Sequence, residues 1–149
     1  MRKIIKILTV IIPIIITSLT MGCTVVKSDV LKSKSETQSY FHKGVYKSYS
    51  PDKKQSHESY FYVFYDEFSG HTEDSKLGIG LPFSCIQTNN SVKFRFGGAE
   101  EPEEIFKITS VKDNSIEGSF EDNQLLIFTF ISNANPDNFD AIQYIKKNN

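Results

Sequence analysis

The chain has 149 residues, of which 39% are apolar and 13% aromatic, with twelve phenylalanines, seven tyrosines and no tryptophan. Its 17 basic and 18 acidic residues give a formal net charge of −1. That balance argues against a nucleic-acid partner, because phosphate binding needs a positive footprint and no basic patch occurs beyond the first residues.

The N-terminus has the three parts of a secretory leader: a basic start (Arg2, Lys3, Lys6), an apolar centre from Ile7 to Ile16, and a small-residue exit at Gly22 before Cys23. An uncleaved transmembrane anchor is the alternative, since no charge lies between Ile7 and Val26. A span needs ~20 mostly apolar residues, however, and Pro13 with Thr17, Ser18 and Thr20 shortens the strongly apolar core to about half of that. Residues 1–22 therefore read as a cleaved signal peptide. Its removal takes the 17 basic residues to 14 against an unchanged 18 acidic, a net charge of −4. Such a chain is not held to anionic lipid by charge, so its anchor would be covalent.

Residues 23–39, rich in Ser, Lys, Thr and Val and without aromatics, read as a flexible tether. The remainder, 40–149, has the size of one small domain. Its first strand candidate is Val45 to Tyr49, followed by the polar turn Ser50 to Lys54. Tyr60 to Tyr65 is a second, of a composition that suits a strand and no helix. Tyr60, Tyr62 and Phe64 share one face and Phe61, Val63 and Tyr65 the other, so the strand should be covered on both sides.

From Asp66 to Leu81 the sequence predicts a long polar loop, with Gly70, Gly78 and Gly80 as hinges. Extended structure resumes from Phe83 to Gln87, and Thr88 to Ser91 is a turn by composition. In Val92 to Phe96 strict alternation points Val92, Phe94 and Phe96 inward and Lys93 and Arg95 to water. Gly97 to Glu104 is an acidic break. Ile105 to Val111, Ile116 to Phe120 and Leu125 to Ile131 then follow as strands joined by tight polar turns. The last is again apolar on both faces. Asn135-Pro136 offers a cap and a proline at a first helical position, and Phe139, Ile142 and Ile145 recur at helical spacing, so a short C-terminal helix is placed over the outer faces of the two doubly apolar strands.

The resulting fold class is all-β: an antiparallel meander of about seven strands, closed into a small lipocalin-like barrel or strongly curved sheet, with a possible short C-terminal helix. Three resemblances accompany it. Leu19-Thr20-Met21-Gly22-Cys23 resembles the lipobox of bacterial lipoproteins, which implies that Cys23 becomes the lipidated N-terminus on the extracytoplasmic face of the cell membrane. Gly44-Val45-Tyr46 looks like the glycine, any residue, aromatic opening of the lipocalin-like class, with tyrosine in place of tryptophan. The aromatic strand, Ser69-Gly70-His71-Thr72, Gly78-Ile79-Gly80 with Pro82-Phe83, and Phe94 to Ala99 are similar to small exported β-domains of Firmicutes.

No enzyme signature is present: there is no G-x-S-x-G, no phosphate-binding G-x-x-x-x-G-K and no paired-cysteine zinc pattern. The expected function is a non-enzymatic, membrane-held binding module without cofactor, taking a small amphipathic ligand or envelope component on Tyr60, Tyr62 and Phe64. A protein-interaction or inhibitor module is the alternative. A metal-dependent enzyme is the third reading, with His71, Glu67, Glu73 and Asp74 as the candidate metal ligands; a solvated acidic loop is the plainer account of that cluster. With Cys23 lipidated, Cys85 is expected as a small buried hydrophobe in a strand, a Cys23–Cys85 disulfide being the rival.

Overall fold

The computed structural model describes residues 38–51 and 59–148. The leader, Cys23, most of the tether and His57 lie outside the described residues. Eight antiparallel strands in chain order close into a barrel: β1 (Gly44–Tyr49), β2 (Tyr60–Phe64), β3 (Ser69–Asp74), β4 (Gly78–Gln87), β5 (Ser91–Phe96), β6 (Glu104–Lys112), β7 (Ser115–Ser119) and β8 (Leu125–Phe130), with β8 returning to β1. This is the expected all-β meander, and closure leaves no sheet edge. A 3₁₀ turn (Pro136–Asn138) and a helix, α1 (Ala141–Asn148), follow.

Period-two alternation divides every strand between a packed interior and an outer wall. The interior is filled by rings. Phe64, Phe94, Phe106 and Phe128 are wholly buried there, and Tyr46, Phe83, Cys85, Val92 and Ile116 complete the core. Such crowding needs gaps in the wall. A Cβ on Gly44 would collide with the Phe130 ring, and Gly44 also has a φ of 156°, so glycine at this position serves both packing and backbone. At Gly118 a Cβ would run into the Lys107 carbonyl and the Phe106 ring.

One end of the barrel is closed by the residues before β1. Phe41 enters it, stacking on Phe64 at 4.8 Å and meeting Phe128 edge-on at 5.1 Å. The polar backbone of this plug is satisfied by Gln87, whose Oε1 accepts from the Tyr40 and Phe41 amides at 2.8 Å each. Its Nε2 donates to the Phe41 and Glu67 carbonyls at 2.7 and 2.9 Å and to Ser39 Oγ at 3.1 Å. All the hydrogen-bonding capacity of this buried amide is used, as burial of a polar group requires.

Outside the barrel, Val45, Phe61 and Val63 form a second core with Ala141, against which Ile131, Phe139, Tyr144 and Ile145 pack. The two-sided cover expected for the Tyr60–Tyr65 run is thus present, and the helix supplies part of it. Its start differs from expectation. Asn135 caps only the 3₁₀ turn, and Phe139 is extended (φ −68°, ψ 142°). Asp140 then opens α1, its Oδ1 accepting from the Gln143 amide at 2.9 Å. The buried stripe therefore runs Ala141, Tyr144, Ile145, with Phe139 ahead of the helix.

The expected loop from Asp66 to Leu81 is also corrected. It is a hairpin, with β3 and the start of β4 joined by Ser75–Leu77. Its polar side chains look solvated in sequence because their partners are remote or main-chain: Thr72 Oγ1 accepts from the Leu81 amide at 3.0 Å, and Asp74 Oδ1 accepts from the Lys76 and Leu77 amides at 2.6 and 2.9 Å. The true connection between β2 and β3 is short. There Asp66 Oδ1 accepts from the Phe68 and Ser69 amides, each at 2.8 Å.

Candidate functional site

The strand directions place the ends of β1, β3, β5 and β7 and the starts of β2, β4, β6 and β8 at the barrel end opposite the Phe41 plug. At this mouth a cavity of about 360 Å³ opens, lined by Ser48, Tyr60, Tyr62, Thr72, Glu104, Phe120, Asp122, Gln124 and Leu126. That volume is within the range of small-molecule sites. The strand residues of the wall arrive by alternation, and Phe120, Asp122 and Gln124 come from the β7–β8 connection. Tyr60 and Tyr62 stand opposite Ser48 and Tyr46 of β1 and opposite Asp74 and Thr72 of β3, all on the inner face.

Tyr62 forms the floor. Its ring meets Phe128 at 4.8 Å and Phe83, Phe94 and Phe96 at 5.9 to 6.1 Å. Burial, with the nearby Glu104 charge adding to it, pushes the phenol above its ordinary range, so it stays a neutral hydroxyl. Tyr60 is 48% exposed at the rim, and its hydroxyl bonds the Asp74 carboxylate. Of the three aromatic residues expected to bind a ligand, Tyr60 and Tyr62 line the cavity. Phe64 does not: two residues further along β2 it lies under the plug, wholly buried against Phe41.

The expected metal set separates for the same reason of alternation. His71 and Glu73 point to the outer wall, whereas Asp74 points inward and is occupied by the Ser75–Leu77 turn. Glu67 is in the β2–β3 connection, where its carbonyl, not its side chain, makes the contacts, accepting from Gln87 Nε2 and Cys85 Sγ. Among the described residues no three His, Cys, Asp or Glu side chains converge as a metal site.

What His71 and Glu73 form instead is a chain of hydrogen bonds. Tyr65 Oη lies 2.7 Å from His71 Nδ1, His71 Nε2 lies 2.8 Å from Glu73 Oε1, and Glu73 Oε2 accepts from the Ala141 amide at 2.6 Å. The Glu73 side chain is only 1% exposed. With an ionised Glu73, both of its oxygens face donors. His71 then carries its proton on Nε2 and accepts from Tyr65 through Nδ1. The carboxylate also sits at the positive end of α1, a favourable place for it. This chain borders a groove of about 370 Å³ lined also by Ile79, Gly80, Pro82 and residues Pro136 to Phe139.

Cys85 is 4% exposed in β4, and burial, followed by the Asp66 charge, pushes its thiol up to about 12. It is the packed strand residue expected from the sequence.

The residues of the mouth that sequence reasoning missed are Ser48, Thr72, Glu104, Phe120, Asp122, Gln124 and Leu126. Glu104 belongs to the acidic stretch read as a break, and only its register opposite Phe94 turns it inward. No protein-family model, no curated protein and no solved structure matches this chain.

Proposed function

We propose that this chain is a lipid-anchored, non-enzymatic binding module on the extracytoplasmic face of a bacterial cell membrane, taking a small amphipathic ligand in the mouth of its barrel. The observation that carries the reading is the mouth cavity itself. It is a recess with aromatic and aliphatic walls, Tyr60, Tyr62, Phe120 and Leu126, and a polar rim, in a barrel otherwise filled with side chains. A convergent set of few polar groups on apolar walls is the usual composition of a small-molecule site.

Anchoring rests on the Gly22-Cys23 step at the end of the leader. Replacing Cys23 with alanine should release the protein from the membrane fraction, and retention of that variant would favour a transmembrane anchor. Native mass spectrometry of protein purified from its host tests the ligand. A co-purifying mass lost on Tyr62→Ala supports the mouth site, and a stoichiometric protein partner with no small molecule overturns it.

One observation favours the second reading, a protein-interaction module. Leu77, Ile79 and Leu81 are 87%, 77% and 57% exposed along the β3–β4 hairpin, beside the Tyr65–His71–Glu73 groove. Exposed apolar side chains gathered on one hairpin are the kind of patch that partners cover.

A further inference from the structure

We infer that the barrel mouth selects a small organic cation, an alkylammonium group with an apolar body, seated between the aromatic rings and the Glu104 carboxylate. This deepens the mouth-site reading and rests on it.

Alternation distributes the charges of β5 and β6 unequally. On the outer wall, Glu103 takes Arg95 at 2.9 Å and Lys93 at 3.7 Å. Glu104, the next residue, stands opposite the wholly buried Phe94 and so turns to the mouth, where it is exposed at the rim and among the described residues its carboxylate has neither an ion pair nor a hydrogen bond. Lys93 and Arg95 thus share Glu103 on the outer wall, and neither reaches Glu104 at the mouth. Of the described residues lining the cavity, Glu104 and Asp122 are acidic and none is basic. An anionic ligand would meet two like charges.

The floor points the same way. The Tyr62 hydroxyl has no hydrogen-bond partner among the described residues, although Tyr62 is packed against four phenylalanine rings. A neutral hydrocarbon would displace water from this hydroxyl and from Glu104 without answering either. A cation answers the carboxylate, and the ring faces of Tyr60, Tyr62 and Phe120 attract positive charge through their quadrupoles. An ammonium that retains an N–H also donates to the phenol oxygen.

The test is NMR titration of the full chain with choline and with its uncharged carbon isostere, 3,3-dimethylbutan-1-ol, which differ at one atom. Saturable shifts at Tyr60, Tyr62 and Phe120 with a preference of ~10-fold for choline are expected, the scale of a partly desolvated cation–aromatic contact. Glu104→Gln should abolish the preference, and Glu103→Gln, on the outer wall, should leave it intact. Equal affinity for the two probes, or an equal loss in both variants, overturns the cation inference while the mouth remains a ligand site. Unmoved mouth resonances with either probe and with 3,3-dimethylbutanoate overturn both.

Discussion

Glu73 is the residue whose loss the structure prices most sharply. Its carboxylate is nearly inaccessible and has a donor on each oxygen, His71 Nε2 at 2.8 Å and the Ala141 amide at 2.6 Å. Hydrogen bonds to a charged group contribute ~1.5–3 kcal/mol each. Glu73→Ala removes two and strands the Ala141 amide, whose residue is wholly buried, so a loss of ~3–5 kcal/mol is expected. Glu73→Gln should be milder, ~1–2 kcal/mol, because the amide oxygen can keep Ala141 while its NH₂ faces His71. That arrangement requires His71 to move its proton to Nδ1 and donate to Tyr65, a tautomer change visible in the ring ¹⁵N shifts. Urea unfolding gives the stabilities, and amide exchange over 141–148 reports whether α1 lifts from Phe61 and Val63. If Glu73→Ala stays within ~0.5 kcal/mol of the parent, or α1 exchanges no faster, the carboxylate is not what fastens the helix to β3.

Phe94→Ala should cost ~3–5 kcal/mol, as aromatic truncation in a core does, and Arg95→Ala, whose ion pair with Glu103 lies at the surface, no more than ~1 kcal/mol. Equal urea midpoints for the two would contradict the alternation of β5. Asp74 is opposed by burial, yet the Leu77 and Lys76 amides, the Tyr60 hydroxyl and the Lys76 charge outweigh it and hold the carboxyl below its ordinary range. A depressed carboxyl stabilises the fold above its unfolded value of ~3.9, and that contribution is lost as pH falls through the folded value, so Asp74→Asn should melt lower at pH 7 and converge on the parent below about pH 4. A gap in melting temperature that does not narrow as the pH falls below about 4 would be inconsistent with this. With its thiol raised to about 12, Cys85 in a Cys23→Ser chain should resist a thiol reagent at pH 8 until urea unfolds the barrel; prompt labelling of the folded chain would show it accessible.

The parts of the fold legible in the sequence are those where a side chain's role is set by its own strand. In β5, Val92, Phe94 and Phe96 alternate with Lys93 and Arg95, and the barrel follows that pattern. In β2, rings at consecutive positions required cover on both sides, and the two cores supply it. β3 was illegible because Ser-Gly-His-Thr-Glu-Asp contains nothing apolar to alternate. Its polarity answers partners elsewhere in the chain, above all Ala141, 68 residues away. The helix start was misplaced although a signal existed. Asp140 followed by Gln143 has the capping-box spacing, and the Asn135-Pro136 pair, which fits a helix equally well, makes only a 3₁₀ turn. Gln87 gave no sign of its role, since its partners Tyr40 and Phe41 lie 46 to 47 residues earlier.

At the candidate site the same division holds, and it bears on how the barrel works. Tyr60 and Tyr62 could be paired on one face by counting, but Phe64 shares that face and is structural, because a barrel interior has depth as well as sides. The phenylalanines from Phe41 to Phe128 fill the closed end and centre, so their burial stabilises the fold independently of whatever occupies the mouth. A filled centre permits an imperfect rim. Among the described residues Glu104 and the Tyr62 hydroxyl have no protein partner at the mouth, while the polar Gln87 at the plugged end is satisfied at every atom. On the proposed reading the packed interior holds the rim in place, and ligand selection would fall to the few inward residues above the Tyr62 ring.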